Sequence, residues 1–167
     1  MGGGSPRRLS RPGRLSGGLS SPDTAGGTGF LPLRAGLTVM LALLFLQFAL
    51  GMWVNLYASI PQLAPGYGMM GIMFAVMYSA SAPVLMLHIM LGWLMAAGAL
   101  VVFVLSLIHG KSSVIDLSAV GLVSVLLAGL GGMYFLFSGG NNAYSYLMAL
   151  AFVSAFSAYF SALAYTG

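Results

Sequence analysis

The side chains most often used as general acid, general base or metal ligand are scarce in this 167-residue sequence: two histidines, His88 and His109, two acids, Asp23 and Asp116, and no cysteine. The missing cysteines exclude disulfides, thiolate metal sites and cysteine nucleophiles. No serine-histidine-acid set, phosphate loop or metal-ligand cluster is present, so most hydrolytic chemistry lacks its parts. His88 is the strongest remaining candidate. It falls inside the apolar run from about Val84 to Ile108, roughly five residues and so about 7 Å below its start. An ionisable group at such a depth is a functional candidate by default.

Three uses suit an imidazole there. It could be an axial ligand to haem b, a proton acceptor at a quinone or quinol site, or a neutral ring tied to Asn55 or a loop carbonyl. Gly92 and Ala96 on the same face leave room for a flat ligand. His109 cannot complete the same haem site, because about 21 residues along one helix separate the two histidines by about 31 Å. A second ligand would come from His88 of another copy, or from Met52 or Met133.

Gln47, Gly51 and Asn55 follow at four-residue spacing and so share one helix face, with Gln47 near mid-membrane. A polar side chain at that depth turns toward protein, where a hydrogen bond contributes about 0.6 kcal/mol on average. The trio is either interhelical glue or one wall of a polar pocket open to the outer face, in which Asn55 meets Asn141, Asn142 and Tyr144. Asp116 reads differently. Ser113-Val114-Ile115-Asp116 has the spacing of a capping box, and an acid in a first helical turn suits the helix dipole. A cap is therefore expected, not a proton carrier.

The elements that position these residues follow from hydropathy. The sequence is 59% hydrophobic and 5% charged, against about a quarter charged in soluble domains. Four apolar runs are each long enough to cross the hydrocarbon, which takes roughly 20 residues: about Leu33 to Tyr57, Val84 to Ile108, Val114 to Phe137, and Ala143 to Tyr165. The expected fold is thus an all-α membrane protein of four transmembrane helices occupying residues 33–167. Residues 1–32 are rich in Gly, Ser, Pro and Arg and have the composition of a disordered tail. Arg7, Arg8, Arg11, Arg14 and Arg34 supply most of the net charge of +4, which describes one tail and not a nucleic-acid-binding surface. That tail can attract anionic lipid headgroups.

Lys111 and the arginines fall on one side under this assignment, and the positive-inside rule makes both termini cytoplasmic. Trp53, Tyr57, Tyr134, Tyr144 and Tyr146 gather at the opposite ends, while Tyr159 and Tyr165 approach the cytoplasmic end, as aromatic belts do. Between the first two spans, Pro61, Pro65 and Pro83 surround the apolar stretch Met69 to Tyr78. This stretch is too short to cross and reads as an outer interfacial or re-entrant helix. A fifth span there would place Lys111 opposite the arginines. An Arg- and Ser-rich tail is also compatible with an organellar transit peptide.

Small residues let helix backbones approach in lipid. His88, Gly92, Ala96 and Ala99 form one such face; Ser124, Ala128 and Gly132 form another; Ala151, Ala155, Ala158 and Ala162 form a third. The run Leu50-Gly51-Met52-Trp53-Val54-Asn55-Leu56-Tyr57, with Ser59-Ile60-Pro61, Leu87-His88, Leu91-Gly92 and Ser138-Gly139-Gly140-Asn141, resembles a group of small four-helix prokaryotic integral membrane proteins of uncharacterised function. The resemblance covers most of the membrane domain and none of the tail. It implies the architecture and a prokaryotic plasma membrane, and it transfers no catalytic residue. The leading functional expectation is a non-catalytic subunit or oligomeric scaffold, with the lipid bilayer and other membrane subunits or further copies of itself as partners. The alternatives are an electron carrier with haem b or quinone at His88, and a small pore or transporter lined by Gln47 and Asn55.

Overall fold

A computed structural model of the protein describes residues 1–2, 31–58 and 68–166. The greater part of the tail, for which disorder is expected, lies outside the described residues, as do Ser59, Pro61 and Pro65 of the first interhelical segment. The architecture is all-helical: α1 (Leu31–Tyr57), α2 (Met69–Met77), α3 (Ala82–His109), α4 (Ser112–Phe137) and α5 (Asn142–Tyr165). All but α2 are long and apolar enough to span a membrane. In a hydrocarbon solvent this is the economical solution, because each helix satisfies its own backbone hydrogen bonds. The helices begin one or two residues before the apolar runs do, since hydropathy marks the greasy stretch and not the turn that opens it.

The boundaries have local causes. Pro83 lies in the first turn of α3, where its missing N–H breaks no intrahelical bond. Gly110, in extended conformation, ends α3 with its amide on the Ser106 carbonyl at 2.7 Å. The Lys111 carbonyl then opens α4 by accepting from the Val114 and Ile115 amides at 2.9 and 3.1 Å. This corrects the expected capping box. Lys111 is the N-cap and makes no side-chain capping bond, Ser113 is already helical, and Asp116 lies beyond the first turn with its side chain exposed. Gly139 (φ 66°) and Gly140 (φ 92°) turn the chain between α4 and α5 in a region of backbone space that favours glycine. Asn141 caps α5, its side chain accepting from the Ala143 amide at 2.9 Å.

The four long helices form a ring in the order α1, α3, α4, α5, with α5 returning against α1; α2 packs on α3 and α4. Neighbours run antiparallel, as the short α3–α4 and α4–α5 connections require. One core cluster joins Leu33, Leu37, Met40, Met95, Val102, Val114, Tyr159 and Ala162, while a smaller one joins Val54, Val76 and Leu85, tying α2 to the bundle. The periphery is greasy: Trp93, Phe45 and Met90 are 72%, 69% and 66% exposed. A soluble monomer rarely bares so much contiguous apolar surface. Arg34, His109, Lys111 and Asp116 lie at one end of the ring, while Trp53, Tyr57, Tyr134 and Tyr146 lie toward the other with exposed rings.

Candidate functional site

The site starts with two side chains on neighbouring helices. Gln47, ten residues before the end of α1, and His88, six residues into α3, meet because the two helices are antiparallel. Gln47 Nε2 donates to the His88 backbone carbonyl at 3.1 Å and lies 3.3 Å from His88 Nε2. The amide orientation follows from the carbonyl: turning the amide over would set two acceptors against each other. With the Gln47 nitrogen as donor, His88 Nε2 accepts, and the neutral ring carries its proton on Nδ1.

Glycine lies under the contact on both helices, tightly at Gly51 and at ordinary contact distance at Gly92. A β-carbon on Gly51 of α1 would lie 3.1 Å from His88 Cε1, and one on Gly92 of α3 would lie 3.4 Å from Gln47 Nε2. Each polar side chain therefore sits over the other helix's glycine. The space above Gly92 that could take a flat ligand is filled by the Gln47 amide, and the imidazole is wedged edge-on against Gly51. Gln47 Oε1 and His88 Nδ1 are buried without a hydrogen-bond partner among the described residues.

The remaining candidates lie toward the aromatic end. Asn55 Oδ1 accepts from Ser145 Oγ at 3.1 Å, joining α1 to α5. Ser145 is the residue of α5 with which Asn55 shares this hydrogen bond. Of the other residues expected beside it, Asn141 caps α5, the Tyr144 ring stacks on Tyr134 at 5.5 Å, and Asn142 is exposed. Met52 projects from an exposed part of α1 and His109 ends α3 at the far end of the bundle, its Nδ1 3.3 Å from the Leu105 carbonyl. Among the described residues there is no group of three or more His, Asp or Glu side chains able to hold a metal ion.

Sequence reading passed over one polar locus. Ser118 of α4 and Tyr159 of α5 are both fully buried, and neither Ser118 Oγ nor Tyr159 Oη has a hydrogen-bond partner among the described residues. This corrects the placement of Tyr159 in an aromatic belt. The ring turns inward because Gly121 faces it: a β-carbon there would lie 2.5–2.9 Å from three atoms at the phenol end of the ring. The available signal was Ser118-x-x-Gly121-x-x-Ser124, a small-residue face at helical spacing. Comparisons with protein-family models, with curated proteins and with solved structures find no match to this chain.

Proposed function

We propose that the protein is a non-catalytic integral membrane subunit or oligomeric scaffold that acts through its helical surface, with other membrane subunits or further copies of itself as partners. The observation that carries this reading is the use made of His88. The histidine deepest in the spans is spent on holding α1 to α3, its ring confined between the Gln47 amide and the Gly51 backbone. A haem plane or a quinone head would have to displace that wedge before reaching Nε2. In this reading the protein resides in a prokaryotic plasma membrane with both termini cytoplasmic, because the basic residues gather at one end. The short helix α2 lies along the outer interface, packing Val76 inward while Met70, Phe74 and Tyr78 are 75%, 57% and 88% exposed.

The test is purification in mild detergent, with native mass and an absorption spectrum recorded on the same sample. A colourless protein in an assembly larger than one chain supports the proposal. A clean, inert monomer overturns it, and a Soret band that disappears in His88→Ala would replace it with an electron carrier.

A further inference from the structure

The contact between Gln47 and His88 has one arrangement in which both of its bonds are made. The Gln47 amide nitrogen carries two hydrogens and has two acceptors in reach, the His88 carbonyl at 3.1 Å and His88 Nε2 at 3.3 Å. Both bonds require a bare Nε2. A proton on Nε2 sets two N–H groups against each other. Turning the Gln47 amide over would let Oε1 accept from the imidazolium, but it would set Oε1 against the His88 carbonyl, to which the amide nitrogen now donates. Neither orientation restores the pair, because one residue presents both contacts, one through its ring and one through its backbone.

The imidazolium would also lack a counter-charge. α3 packs against α1, α4 and α2. Of the described ionisable groups on these elements, Arg34, His109, Lys111 and Asp116 lie at the opposite end of the bundle, while Tyr57, Tyr78 and Tyr134 have exposed rings. No described carboxylate lies at the level of His88, and an unpaired charge among membrane helices is costly. The two halves of the seam differ in their exposure to this cost. Toward the charged end, Leu33, Leu37, Met40 and Leu44 share a core cluster with Met95, Ala99 and Val102, and none of these titrates. Toward the aromatic end, the seam consists of the Gln47–His88 pair, the ring over Gly51, and the small cluster of Val54 and Leu85. We propose that the Gln47–His88 contact is an acid-released latch: protonation of His88 frees the outer half of α1 from α3 while the inner half stays packed. The latch goes beyond the proposed function, since it depends on His88 tying α1 to α3 and not on what the bundle assembles with.

The test uses the full chain in lipid, where the absence of native cysteine allows spin labels to be placed in pairs. Leu56→Cys with Leu87→Cys reports the outer half of the seam, and Val39→Cys with Leu100→Cys reports the inner half; all four native side chains are exposed. Labelled protein is diluted with unlabelled protein, so that dipolar broadening arises within one chain whatever its native mass. Spectra are recorded from about pH 8 to about pH 5, the range in which histidine ordinarily titrates. Loss of broadening at the outer pair on acidification is expected, with the inner pair unchanged. The outer response should disappear in His88→Leu, which keeps an apolar side chain and cannot titrate, or in His88→Gln should the first variant fail to fold. An outer pair indifferent to pH overturns the inference, whether the ring takes no proton or the seam tolerates one. A response shared equally by the inner pair, or one that survives replacement of His88, overturns it as well.

Discussion

The seam between α1 and α3 and the seam between α4 and α5 both bring helices together over glycine, but they fill the contact differently. At α1–α3 two polar side chains cross, each resting on the other helix's glycine, and their mutual hydrogen bond fixes which amide face and which imidazole nitrogen meet. At α4–α5 one large aromatic ring enters a notch at Gly121, against a face lined by Ala155, Ala158 and Ala162. The first seam is specified by direction and the second by shape. In lipid, where apolar surface gains little by leaving the solvent, shape supplies dispersion contacts over a wide area, while a hydrogen bond adds a small and local term. The α4–α5 seam is therefore the stronger one, and the α1–α3 seam sets register.

Substitutions can break or sharpen that contrast. Tyr159→Ala should have the largest effect, about 3–5 kcal/mol by analogy with large-to-small changes at other buried aromatics. Unfolding in a denaturing detergent titration would measure it, and a loss below about 1 kcal/mol would remove the distinction between the seams. Gly121→Ala is expected to destabilise by about 1–3 kcal/mol through overpacking against a ring with nowhere to go, less up to about 1 kcal/mol regained from helix propensity. Gly51→Ala makes the matched comparison: its β-carbon meets His88 at 3.1 Å, a few tenths of an ångström of yielding suffices, and the net change should stay within about 1 kcal/mol. If Gly51→Ala proves as damaging as Gly121→Ala, the imidazole is held as rigidly as the phenol. The smallest effect belongs to the Gln47–His88 hydrogen bond itself. A double-mutant cycle with Gln47→Leu and His88→Leu should return a coupling near 0.6 kcal/mol and no more than about 1.7 kcal/mol.

The unequal legibility of these features has a physical cause. Long apolar runs announce crossing helices, so the four long helices and the separate short one between the first two could be read directly. The small-residue face Ala151, Ala155, Ala158 and Ala162 was also readable, and all four residues are buried. Which face meets which neighbour was not readable, because a helix that is apolar all round carries no periodic label for its inner side. Gln47 and His88 could each be singled out by being polar in an apolar run, yet their pairing depends on the lateral order of the ring. Tyr159 was misplaced for the same reason: a tyrosine near a helix end suits a headgroup belt until a glycine on the next helix offers a notch. Asp116 failed differently, since α4 starts at Ser112 and shifts the expected cap into the helix.

The placement of charge has an electrical consequence. The described charged side chains, Arg34, Lys111 and Asp116, lie at one end of the bundle, and His88, as an acceptor at Nε2, is a neutral ring. A transmembrane potential does work on a protein only by moving charge through the field, about 2.3 kcal/mol per elementary charge per 100 mV. Sliding or tilting these helices against one another transports almost none. The bundle should be deaf to voltage, its arrangement the same in an energised membrane and in a depolarised one.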